Sequence, residues 1–138
     1  MRYSRTIWTS GNINISSLPS AGFSADLSSY ATNGFESSPA DFIIVRYIVD
    51  GVTTVAFSQT GAVDGSTGGS SNAFRTVTAR ASDITGNNLV IQIEARNNST
   101  GEYYYWDNIT VTSGNTPVIT NPSSANSTVT NLPSGPTT

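Results

Sequence analysis

Apolar and polar residues alternate over short spans through most of the chain, and this period of two predicts strands. Tyr3 to Thr9 and Asn12 to Ser16 alternate in this way before Leu18-Pro19-Ser20 breaks the pattern. Phe23, Ala25 and Leu27 then share one face, with Ser24, Asp26 and Ser28 on the other. Phe42 to Val49 is apolar on both faces except at Arg46. That pattern predicts a central strand, covered on both sides or meeting a neighbouring element with its outer face. Asp50-Gly51 turns the chain into a partner strand, Thr53 to Gln59, with Val55 and Phe57 on one face. The connecting loop is expected to exceed the two-residue minimum.

Gly61 to Asn72 holds four Gly among Ser and Thr and reads as the longest loop of the domain. Phe74 to Ala81 alternates again, and Leu89, Ile91, Ile93 and Ala95 alternate cleanly with Val90, Gln92, Glu94 and Arg96. The short link Asn97 to Gly101 predicts a hairpin with the last strand, Glu102 to Val111. Uninterrupted alternation there puts Tyr103, Tyr105, Asp107, Ile109 and Val111 on the core side. No segment carries a convincing helical stripe. The expected fold is therefore all-β, an antiparallel β-sandwich of jelly-roll type with about eight strands over residues 1–112. Residues 113–138 contain four Pro and no charge, and read as a linker or the truncated start of a further domain.

Composition narrows the chemistry. The chain has no Lys, His or Cys, which removes imidazole bases, thiol nucleophiles and the usual zinc ligands. Any metal must be a hard, oxygen-bound ion. A net charge of -3 with six scattered Arg leaves no basic footprint, so no nucleic-acid partner is expected. No run is long and apolar enough for membrane insertion, and Met1 to Thr6 lacks a signal-peptide core; the chain reads as a mature fragment or an excised piece. Five Asn-x-Ser/Thr sequons, at Asn14, Asn97, Asn98, Asn108 and Asn126, arise readily in such a composition.

The carboxylates have two readings. Glu36 and Asp41 flank a loop entering the apolar strand, while Glu102 and Asp107 lie on the last strand. If these strands meet near one edge, the oxygens converge and can hold calcium. Alternatively Asp107 pairs with Arg46 or with backbone amides, and Glu36 and Asp41 are solvated. Asp64 reads as a turn former. No second buried acid is indicated beside Asp107, so glycoside hydrolysis is not expected, nor is any other enzyme activity. The run Tyr103 to Trp106 either packs entirely or presents Tyr104 and Trp106 outward as a carbohydrate-stacking pair.

Phe35-Glu36, Asp41 to Gly51, Asn88 to Asn97 and Glu102 to Val111 together resemble a module repeated in large secreted and surface proteins of Bacteroidota-type bacteria. More distantly the pattern is similar to CUB and MAM sandwiches, in which a Glu, an Asp opening a strand and a later Asp gather one calcium. That resemblance implies Glu36, Asp41 and Asp107 as ligands. The tail, Thr116 to Thr120 and Ser127 to Gly135, is similar to the start of Ig-like or PKD-like repeats. These resemblances imply a non-catalytic, secreted or cell-surface adhesin or filament module whose partners are neighbouring domains or copies of itself. Carbohydrate binding is the alternative. A second alternative is self-association, the C-terminal segment donating a strand.

Overall fold

A computed structural model describes residues 4–35, 41–66, 74–114, 118–119 and 129–130. Strands β1 (Ser4–Thr9), β2 (Ile13–Asn14), β4 (Phe42–Val49), β5 (Val52–Thr60) and β7 (Asn88–Asn97) form one antiparallel sheet. Its order is β1-β7-β4-β5, with β2 also on β7. Strands β3 (Ala21–Ala31), β6 (Arg75–Ile84) and β8 (Glu102–Ser113) form the other, in the order β6-β3-β8. Two short segments, β9 (Val118–Ile119) and β10 (Val129–Thr130), pair antiparallel with each other. The fold is an all-β jelly-roll sandwich of eight main strands, and no helix occurs among the described residues. Between β2 and β8 every connection except the β4–β5 hairpin crosses from one sheet to the other.

The inner faces follow the alternation wherever it is unbroken. Phe23, Ala25 and Leu27 on β3 are buried, and so are Leu89, Ile91, Ile93 and Ala95 on β7, beside Ile43 and Val45 of the neighbouring β4. Phe23 meets Tyr47 edge to face at 5.9 Å, a contact between the two sheets. Gly114 follows β8 and donates its N–H to Ser20 O at 2.9 Å, so the sandwich is stitched closed just after Ser113.

Four expectations fail, each for a geometric reason. On β8 the register slips: Ser24 pairs with Thr110 but Asp26 with Asp107, so Asn108 and Ile109 both oppose Ala25. This β-bulge, with Asn108 at φ 51°, reverses the parity. Tyr104 and Trp106 point inward before it and Ile109 and Val111 after it, while Tyr103, Tyr105 and Asp107 point out. A second bulge at Ala56 separates Val55, which is exposed, from Phe57, which packs on the core. Asn97 to Gly101 joins two sheets and closes no hairpin, because β7 takes β1 and β4 as neighbours and β8 takes β3. Asp50-Gly51 is a two-residue loop, with Val49 paired to Val52 and φ values of 49° and 88°. Positive φ at both loop residues matches the twist of the flanking strands.

Strand β4 is interior to its sheet, and its outer residues Phe42, Ile44, Arg46 and Ile48 are half-buried. Arg46 finds its carboxylate there: Nη1 lies 2.9 Å from Glu94 Oε1, and Arg5 Nε donates to Glu94 Oε2 at 2.6 Å. The alternative pairing of Arg46 with Asp107 is excluded, since Asp107 lies on the outer face of the opposite sheet. Burial raises the Glu94 pKa, but the hydrogen bonds and charges of Arg5 and Arg46 outweigh it and hold the group below its ordinary range. A depressed folded pKa stabilises above the unfolded value and loses that stabilisation as pH falls through the folded one. Glu94→Gln is therefore expected to cost about 1 kcal/mol at pH 7, discounted because Arg5 is exposed. In urea titrations from pH 7 to pH 3, the gap to wild type should close below about pH 4.3. A gap independent of pH would refute the assignment.

Candidate binding face

Three neighbouring rungs of side chains on the outer face of β6-β3-β8 are set by the register of the strands. Asp107, Asp26 and Thr78 form the first, and Tyr105, Ser28 and Thr76 the second. Tyr103 and Tyr30 form the third, with Phe74, just before β6, against Tyr30. Two of the three side chains in the middle rung are small. A groove of about 510 Å³ opens over them, walled by Tyr105 on one side and reaching Asp26, Asp107 and Asn108 at its end.

The aromatic rung is a connected cluster. Tyr30 and Phe74 lie 5.0 Å apart between ring centroids, Tyr30 and Tyr103 6.4 Å, and Phe74 and Tyr105 5.9 Å. Tyr103 and Tyr105 are nearly parallel, 18° between planes at 6.2 Å. Phe74 is 64% exposed and the two tyrosines 45% each. Exposed aromatic surface gathered in one place marks a binding surface more often than scattered apolar residues do.

At the polar end Asp26 Oδ1 accepts from Thr78 Oγ1 at 2.9 Å and Oδ2 from Asn108 Nδ2 at 3.0 Å. Those two hydrogen bonds, Asn108 first, hold the Asp26 carboxyl below its usual range despite some desolvation, with a contribution from the Arg80 charge. Asp107 caps the N–H of Asn108 at 2.8 Å and sits directly across from Asp26. Like charges opposite one another weaken a strand pair, a cost that these hydrogen bonds offset in part.

Of the residues expected to share calcium, Asp41 and Asp107 lie apart. Glu36 lies outside the described residues. Asp41 is fully buried at the entrance to β4, where Oδ1 accepts from Asn98 N at 2.9 Å and its carbonyl from Gly61 N at 2.9 Å. Glu102 and Asn98 are buried as well. Burial first, then the carboxylates of Asp41 and Glu102, push the neighbouring Tyr104 phenol above its ordinary range. Asp107 stands five residues along β8 from Glu102, about 17 Å away, and on the opposite face of the sheet from Tyr104. Among the described residues no group of three or more acidic side chains could hold an ion.

Tyr104 and Trp106 do not make an outward pair. Trp106 packs on the main core. Tyr104 stacks on Phe35 at 5.1 Å and donates its hydroxyl to Gly61 O at 2.6 Å, closing a small second core with Ala31 and Ala62. Asp64 forms a turn, accepting from Ser66 N at 3.0 Å; residues 67–73 of the Gly-rich loop lie outside the described set. Tyr30 and Phe74 carried no signal in the sequence, since only the register of three strands brings them beside Tyr103 and Tyr105.

No protein-family model matches the chain, and no curated protein does. Five chains of solved structures match. One, from the structure of infectious bursal disease virus Gx strain, is 13% identical with a TM-score of 0.39. The match covers 82% of this chain and spans 29% of that one.

Proposed function

We propose that this chain is a non-catalytic adhesive module of a secreted or cell-surface protein, and that it holds carbohydrate on the outer face of β6-β3-β8. The observation that carries the reading is the cluster of Phe74, Tyr103 and Tyr105, all exposed, with the half-buried Tyr30, beside a groove edged with hydroxyls and carboxylates. Sugar rings present C–H faces to aromatic rings and hydroxyls to polar acceptors, so they need both kinds of surface side by side. A purely spacing or stiffening role gives such a patch no use, and leaves a solubility cost in place. No helix among the described residues is long and apolar enough to cross a membrane.

The test is retention on a panel of immobilised polysaccharides followed by calorimetry on any that bind. The double variant Tyr103→Ala/Tyr105→Ala is expected to lose at least about tenfold in affinity, from two stacking contacts, with its thermal midpoint little changed. Unaltered affinity in a folded double variant would remove this face from consideration.

A further inference from the structure

Resting on the carbohydrate reading, we infer that the groove selects uncharged polysaccharide chains, with Asp26 and Asp107 accepting hydroxyls and turning away uronate and sulfate groups. The groove floor, Ser28 and Thr76, is small and uncharged, so a chain lying along the groove passes Tyr105 and reaches the two carboxylates at the end of it. Both carboxylates belong to the same rung and face outward.

Asp26 is preset for this work. Its two oxygens each take one donor from the protein, Thr78 and Asn108, and a carboxylate has room for about four such bonds. One acceptor position on each oxygen therefore remains for the hydroxyls of a ligand. Vicinal hydroxyls on a sugar ring can donate one hydrogen bond to each of these oxygens. The same donors keep the group ionised, which fixes its sign as well as its direction.

Charge decides which glycans are turned away. Among the described residues Arg80 is the cation on the face, placed across from Ser24 beyond the acid end. Arg75, at the start of β6, is engaged 3.8 Å from Asp64. An acidic sugar seated in the groove thus meets two carboxylates before it meets Arg80. At contact distance in water each repulsion weakens binding by roughly fivefold, so a charged sugar beside both loses more than about tenfold.

The experiment compares matched polysaccharides that differ in charge: agarose against κ-carrageenan, methyl-esterified against de-esterified polygalacturonate, and hydroxyethyl- against carboxymethyl-cellulose. The full chain is used, in affinity electrophoresis at 20 and 300 mM salt. The expected result is binding to the neutral member of at least one pair and at least tenfold weaker binding to its charged partner, with the gap narrowing in high salt. Asp26→Asn/Asp107→Asn should close most of the gap, and Asp107→Asn alone part of it, since its amide oxygen can still cap Asn108. Equal or tighter binding of the charged member overturns the selectivity and leaves the carbohydrate reading standing. No binding to any polysaccharide, or retention of spermine or an Arg-rich peptide instead, overturns both.

Discussion

Trp106→Ala is expected to lower the free energy of unfolding by about 3 kcal/mol, while Tyr105→Ala, one residue away, should cost less than about 1 kcal/mol. The contrast follows from the bulge at Asn108. Trp106 packs on the core cluster between the sheets, so truncation leaves a cavity that the strands around it cannot fill. Tyr105 is 45% exposed on the outer face and gives up little burial. Urea denaturation of both variants reads the difference directly, and for a sandwich of this size the Trp106 variant should melt more than about 10 °C lower. Polysaccharide binding should move the other way: Tyr105→Ala weakens it, and folded Trp106→Ala protein keeps it. The opposite order of stabilities would mean that β8 runs without a bulge and that the outward aromatic pair is Tyr104 and Trp106.

The same bulge limits how far the strands can be read from the sequence. Strands β3 and β7 are legible because Phe23 to Leu27 and Leu89 to Ala95 alternate without interruption, and a period of two assigns every side chain once one is placed. Strands β5 and β8 are legible as strands but not in their facing, since one inserted residue in each inverts everything beyond it. Asn108 in left-handed conformation is the one local hint, and Asn is tolerant enough of that region that it signals little. Pairing partners are harder still. The brevity of Asn97 to Gly101 suggests a hairpin, but Asp41 draws Asn98 into the gap between sheets, and the chain arches across. The ion triad of Glu94, Arg5 and Arg46 comes from three strands, and the aromatic face from β3, β8 and the residue before β6. Neither exists as a sequence spacing. Of the candidate site, the aromatic richness of Tyr103 to Trp106 is visible in the sequence, whereas its working face and its partners Tyr30 and Phe74 depend on register.

Gly86→Ala should be the most damaging glycine exchange among the described residues, costing about 3 kcal/mol or more. A methyl at Gly86 would run into Val49 Cγ1 and come within 2.8 Å of Asp50 Oδ2, and the backbone there holds φ at 150°, where a side chain is strained. Overpacking and dihedral strain each cost about 1–3 kcal/mol, and here they act together. The site cannot relax easily, because the β4–β5 turn is tied to the start of β7 at this point. Asp50 accepts from Asn87 N at 3.0 Å and Asn88 N at 2.9 Å, and its own N–H donates to Asn88 O at 3.1 Å. Asp50→Ala should therefore cost about 1–2 kcal/mol, since it removes both carboxylate bonds and puts Ala at a positive φ; Asp50→Asn, which tolerates that φ and keeps an acceptor, should cost less. The clash itself can be isolated. Val49→Ala clears the space the new methyl needs, so Gly86→Ala/Val49→Ala should be more stable than the sum of the single losses by about 1 kcal/mol or more. Additive losses would locate the damage in the dihedral alone, and a Gly86→Ala cost below about 1 kcal/mol would show that the two turns are not interlocked.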